Sequence, residues 1–216
     1  FIFQFAVGRG RVDVHVRPHD SLSVTVGGEG SYRNYWLVFC SRFVIHLANY
    51  TSLFYLLYYL RDHIGVPDPD AGVLALTVLY AVFTIITAIV SGNLSDRLGR
   101  RKILVITSAF GVAMATGLMT VASGMGLVYV AAALLGISWG VFSSVDQAMV
   151  NESLPSKKNR ARDVSLMSLT QGVSNMFCGG LAALALRHFD YPGMFLMCSI
   201  ICIVGAVMVL PVTSSK

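Results

Sequence analysis

Arg42, His46 and Asp146 interrupt long apolar runs, where a charged side chain costs at least about 2.5–3.5 kcal/mol in a bilayer. At 100° per residue, Arg42, His46 and Asn49 fall within about 60° of one another on one helix face, with Tyr50 beside them. Arg42 and Asp146 stand toward the same end of their respective runs, so the two can pair. An ion pair, structural or closing that end as a gate, is favoured over direct contact with an ion or substrate. His46 lies one turn deeper and is a candidate proton site, although a hydrogen-bonded structural histidine is the commoner role. Further polar stripes are Thr77, Tyr80, Thr84 and Ser91; Trp139, Ser143 and Asp146 with Gln147; and Ser168, Gln171, Gly172, Asn175 and Gly179. Ser and Thr in such stripes mostly act as interhelical hydrogen-bond glue, worth about 1 kcal/mol or less. Gly172, Gly179 and Gly180 read as close-packing positions.

Enzyme chemistry would need a nucleophile with its base, or converging metal ligands. Only His46 and Asp146 are strong candidates, and a pair alone makes no catalytic constellation. Cys40, Cys178, Cys198 and Cys202 all fall inside apolar runs and lack CxxC spacing, so they read as small buried residues rather than zinc ligands or a disulfide framework. No phosphate-binding P-loop occurs. The expectation is therefore a non-enzymatic chain with no cofactor and no metal.

The elements that must position these residues follow from composition. The 216 residues are 55% apolar and 12% charged, with a mean hydropathy of +0.68, against about 25% charged for a soluble domain. A helix crosses the hydrocarbon core in about 20 apolar residues. Six stretches qualify: Asn34–Leu60, Ala71–Leu94, Lys102–Ala122, Leu127–Val150, Asp163–Leu186 and Gly193–Val212. The fold class is all-α and polytopic. Arg97, Arg100, Arg101 and Lys102 follow span two, and Lys157, Lys158, Arg160 and Arg162 follow span four, whereas the alternate loops hold only Arg61 and Arg187 as Arg or Lys. This bias places both termini in the cytoplasm, in a plasma (inner) membrane. The net charge of +5 then reflects membrane-flanking loops and anionic lipid rather than nucleic acid.

Residues 1–33 form an extramembrane segment, 34–212 the six-span domain and 213–216 a short tail. Val12, Val14 and Val16, then Leu22, Val24 and Val26, alternate with polar residues around Pro18-His19-Asp20, the period of a short hairpin. Gly27-Gly28-Glu29-Gly30 reads as a linker. Position 1 is Phe and the first Met is Met114, so a fragment or processed product is expected.

The most specific string is Gly92-Asn93-Leu94-Ser95-Asp96-Arg97-Leu98-Gly99-Arg100-Arg101-Lys102. Gly92 permits close approach of helix ends, Gly99 a tight turn with φ > 0, and Asp96 can accept from free N–H groups at a helix start. The string resembles the signature loop of the major facilitator superfamily, G-x3-D-R/K-x-G-x-R/K-R/K, matching at Gly92, Asp96, Arg97, Gly99, Arg101 and Lys102. The resemblance implies a six-span half of a twelve-span transporter, with Asp96 and Arg97 as conformational latch residues in a loop that includes Arg100. It also implies that spans one and four face the cavity, two and five are intermediate, and three and six face lipid. The cavity-lining candidates are then Asn49, Tyr50, Tyr80, Trp139, Gln171 and Asn175, with Trp139 and the tyrosines able to stack on a sugar or aromatic solute.

Ala132 stands where first halves of proton-coupled members carry an Arg four residues before a Gly, here Gly136. The antiporter Gly-Pro signature is absent around Gly172–Gly180. Span six ends in Val212-Thr213-Ser214-Ser215-Lys216, and Ser144-Val145-Asp146-Gln147-Ala148 with Leu154-Pro155 looks like second halves of bacterial, especially actinobacterial, permeases. The resemblance thus implies a C-terminal half that works with a missing N-terminal half. Its function would be secondary active transport of a small solute by alternating access, coupled to a proton or sodium ion. Alternatives are drug or metabolite efflux on the same fold, or a non-transporting membrane sensor.

Overall fold

The computed structural model describes residues 29–98, 101–153 and 160–211. Those residues form six long helices: α1 (Glu29–Phe54), α2 (Pro69–Leu98), α3 (Arg101–Thr120), α4 (Met125–Ser153), α5 (Arg160–His188) and α6 (Tyr191–Val209). Each contains a stretch long and apolar enough to cross a membrane: Trp36–Phe54, Pro69–Ser95, Lys102–Thr120, Met125–Gln147, Ser168–His188 and Tyr191–Val209.

Local sequence accounts for the helix ends. The first expected span does not run unbroken to Leu60. It breaks at Tyr55 (φ −98°, ψ 9°), resumes for one turn at Leu56–Tyr58 and widens into a π-helical turn at Tyr59–Ile64. Gly65 then stops it in the left-handed region at φ +72°, where a side chain would be strained. Asp68 caps α2, its Oδ1 accepting from the Ala71 N–H at 3.1 Å, with Pro69 opening the helix as its fixed φ favours. At the other end of the chain α1 begins at Glu29, so Glu29-Gly30 belongs to a helix rather than to the expected linker. The hairpin expected around Val12–Val26 lies outside the described residues.

Packing shows an internal repeat. Helix α1 packs mainly on α5 and α6, α4 mainly on α2 and α3, and α3 joins α6 between them. Exchanging α1–α3 for α4–α6 maps this pattern onto itself. Small residues permit the close approaches, as membrane helices require. A Cβ on Gly136 would meet Tyr80 and Phe83, one on Gly140 would meet Thr84, Thr87 and Ala88, and one on Gly205 would meet Ile45 and Ser41. Hydroxyls sew the same seams: Thr84 donates to the Gly136 carbonyl (3.2 Å), Ser41 to Gly205 (2.7 Å), Ser199 to Ala113 (2.8 Å) and Ser174 to Phe43 (2.9 Å).

Helices α3 and α6 carry an exposed apolar face, including Phe110, Met114, Leu196, Ile200 and Val204. Their other faces form the joint between the two three-helix units, so lipid contact is only part of their role. Helices α2 and α5 are the least buried. Gly172 and Gly180 meet nothing within 4 Å, and only Gly179 of that group approaches a neighbour, the Phe54 ring. Close packing at those two positions is therefore not made within the described residues. The same holds for Gly92.

Candidate functional site

The polar face of α1 meets α4 near the end that carries the two basic loops. Arg42 and Asp146 are both buried, and Nη1 lies 2.7 Å from Oδ2. This approach is out of line for a directed hydrogen bond, and both Nη1 and Nε lack a hydrogen-bond partner among the described residues. The contact is an ion pair, in which charge rather than a directed hydrogen bond joins the two groups.

One turn deeper, His46 donates from Nδ1 to the Arg42 carbonyl at 2.8 Å. A carbonyl only accepts, so that bond places the proton of the neutral ring on Nδ1 and leaves Nε2 as the acceptor. Aromatic rings enclose it: Trp139 at 5.0 Å, Phe142 at 5.7 Å and Tyr50 at 5.9 Å between centroids. Trp139 stacks on Phe142 at 5.3 Å and is only 8% exposed. Its indole is thus engaged with protein rings, which competes with the solute-stacking role expected of it.

A further turn inward, Asn49 is completely buried. Its amide faces the Tyr80 hydroxyl without closing a hydrogen bond on either amide atom. Tyr50 is half-buried and accepts from Gln171 Nε2 at 2.9 Å, tying α1 to α5. Tyr80 is also half-buried, while Gln171 and Asn175 are exposed. The structure therefore brings Arg42, His46, Asn49, Tyr50, Tyr80, Trp139 and Asp146 together between α1, α2 and α4. Gln171 joins this group through Tyr50. Asn175 stands apart, its side-chain oxygen 3.9 Å from Cys178 Sγ.

The signature loop joins α2 to α3. Gly99 and Arg100 lie outside the described residues, as do the side chains of Asp96, Arg97 and Arg101. Lys102 donates to the Leu210 carbonyl at the end of α6, where a cation complements the helix dipole.

Some partners escaped the sequence reading. Phe142 completes the aromatic enclosure; its place three residues after Trp139, on the same helix face, was a usable signal. Ser91 and Ser144 share a hydrogen bond of 2.6 Å, and Ser95, one turn on, is buried without a hydrogen-bond partner among the described residues. At the opposite end Asp62 accepts from Arg61 (2.8 Å) and from the Tyr191 hydroxyl (2.8 Å). Those two donors, Arg61 foremost, hold the Asp62 carboxyl below the usual carboxylate range. Among the described residues, no three His, Cys, Asp or Glu side chains are grouped to hold a metal ion.

A family model described as Major Facilitator Superfamily matches residues 38–216. No curated protein matches the chain. Among solved structures, a mutant of the peptide transporter POT in complex with alafosfalin aligns with a TM-score of 0.73 at 16% identity, over 82% of this chain and 37% of that one. An auto-inhibited POT family peptide transporter gives 0.71 at 13% identity, over 85% and 39%. The human organic anion transporter TETRAN gives 0.65 at 19% identity, over 84% and 48%. The chain thus spans less than half the length of these three structures, and at such identities the likeness carries the fold alone.

Proposed function

Because this chain belongs to the major facilitator superfamily, we propose that it forms the C-terminal half, spans seven to twelve, of a secondary active transporter that moves a small solute by alternating access. Two six-span halves would rock about a central site near the midplane. Residues 34–212 make the transmembrane unit, residues 1–33 precede it outside the membrane and 213–216 follow it. Both termini of the segment face the cytoplasm of a plasma membrane. Ala132 before Gly136 and the Ser144–Ala148 string with Leu154-Pro155 support a second half of a bacterial, actinobacterial-like permease.

The observation that carries the reading is the buried Arg42–Asp146 pair. It joins the two three-helix units near the basic-loop end, where α1 and α4 otherwise touch little, and supports that end as the gated one. Asp96, Arg97 and the following basic residues act as the latch of the same end. Asn49, Tyr50, Tyr80, Gln171 and Asn175 face the solute path, with Trp139 behind them. A proton or sodium gradient drives the cycle.

Solute counterflow in proteoliposomes of the full-length protein tests this. Counterflow of a labelled solute supports the transporter and excludes the sensor reading. Asp96→Asn should slow counterflow with membrane insertion intact, and unchanged rates would remove the latch role. Vectorial uptake by residues 1–216 alone would refute the half-transporter assignment.

A further inference from the structure

Helices α5 and α6 are joined by Phe189 and Asp190 alone. Yet α5 packs chiefly on α1, and α6 on α1 and α3, with little contact between the two. Their junction leaves a hollow of about 490 Å³, lined by Arg187, His188, Phe189 and Asp190 among others, within the range of about 300–1,000 Å³ typical of ligand sites. The membrane-spanning stretches Ser168–His188 and Tyr191–Val209 end here. The hollow therefore lies at the membrane surface, at the end opposite the two basic loops.

Opposite charges share this hollow without meeting. Arg187 and Asp190 stand three residues apart, a spacing that pairs side chains on a continuous helix. Here the helix ends at His188, and Asp190 is extended (φ −73°, ψ 177°), its carboxylate making no cap on α6. Both residues are exposed, and among the described residues neither side chain has a hydrogen bond or an ion pair. The neighbouring Tyr191 hydroxyl does not compete for them, since it is spent on Asp62. Phe189, between the two charges in the chain, is 59% exposed. It is held close to α6 because position 193 is Gly, where a Cβ would strike the Phe189 Cβ. At the membrane surface such an apolar ring is suited to acyl chains.

We propose that this hollow holds the headgroup of a zwitterionic phospholipid with a primary ammonium, drawn from the leaflet opposite the basic loops. The guanidinium fork of Arg187 takes the phosphate, and a ring N–H of His188 is a second donor. Asp190 accepts from the ammonium, a charge-assisted bond, and Phe189 lies along the upper acyl chain. Each charge of the headgroup then meets its opposite on the protein. A purely anionic headgroup would satisfy Arg187 but leave Asp190 without a cation. A quaternary ammonium has no N–H to give Asp190, and a soluble zwitterion would leave the Phe189 ring bare. The inference rests on the membrane spans and not on the transporter reading.

The test is lipid binding to the full-length protein in detergent, read as bound-lipid adducts by native mass spectrometry. Phosphatidylethanolamine, phosphatidylcholine and phosphatidylglycerol of identical acyl chains are the probes. Phosphatidylethanolamine should bind about two- to fivefold more tightly than the other two, the worth of an exposed charge pair. Asp190→Asn should abolish that preference and Asp190→Glu should keep it, which separates a charge role from a folding one. Arg187→Gln should weaken all three lipids. A photoactivatable phosphatidylethanolamine should label residues within 184–193. Equal binding of the three lipids by the wild type, a preference that survives Asp190→Asn, or labelling wholly outside 184–193 overturns the proposal. Displacement of the lipid by free glycerophosphoethanolamine, with no need of acyl chains, overturns the lipid assignment in favour of a soluble zwitterion.

Discussion

Replacing Asp146 with Leu removes one half of an ion pair whose side chains are 2% and 3% exposed. At the observed 2.7 Å the attraction is about 6 kcal/mol for an effective dielectric of about 20. Most of that offsets the cost of taking both ions out of water, so the pair adds little net stability. The single variant loses the attraction but keeps the buried guanidinium, and should be destabilised by about 3–5 kcal/mol. Arg42→Met should cost a similar amount, since it strands the carboxylate. The double variant Arg42→Met/Asp146→Leu strands nothing, so it should return to within about 1 kcal/mol of the parent or exceed it. The two single effects would then fail to add by several kcal/mol, which a double-mutant cycle isolates. Reversible unfolding in mixed detergent–SDS micelles, followed by far-UV circular dichroism, gives all four free energies. Single losses below about 1 kcal/mol that simply add in the double variant would mean water screens the pair, and the burial argument would fail.

The α2–α4 seam should be intolerant at Gly140, because a methyl there runs into Thr87 and the backbone at Thr84 and Ala88; Gly140→Ala should cost about 1–3 kcal/mol in the same unfolding assay. Gly92→Ala meets nothing among the described residues and should change stability by less than about 0.5 kcal/mol. If Gly92 packs against the other half, the variant should nonetheless slow counterflow by the full-length protein. Asp62 at the opposite end is held low by Arg61 and Tyr191. A carboxyl depressed in the folded state contributes stability above its unfolded value, about pH 3.9, and loses it as pH falls through the depressed one. This contact should therefore persist at neutral pH and fail only in acid. Tyr191→Phe should move the carboxyl back toward its ordinary value in an NMR titration, and no movement would remove Tyr191 as a donor that matters.

Much of the architecture was readable because a bilayer imposes simple demands. Each span must be about 20 apolar residues long, and the loop charges are bunched, so six helices and their connections could be drawn from the residues alone. The helical phase of Arg42, His46 and Asn49 was legible for the same reason, since 3.6 residues per turn is fixed by backbone geometry. The break at Tyr55 and the π-helical turn at Tyr59–Ile64 were not. No proline marks them, and the turn is held by remote partners, the Tyr59 hydroxyl donating to the Met119 carbonyl of α3 at 2.8 Å. The Glu29-Gly30 pair looked like linker because glycine clusters usually are, yet both residues enter α1.

What the sequence determined by itself was therefore the number of spans, the end at which basic residues gather, the signature loop and which polar residues share a helix face. Which helix each face meets was decided only by the tertiary structure. Lipid chains are as apolar as a leucine side chain, so an apolar stripe carries no mark separating a lipid-facing surface from a protein-facing one. The joint between α3 and α6, the enclosure of His46 by Trp139 and Phe142, and the pairing of Arg42 with Asp146 all arise from packing between residues far apart in the chain.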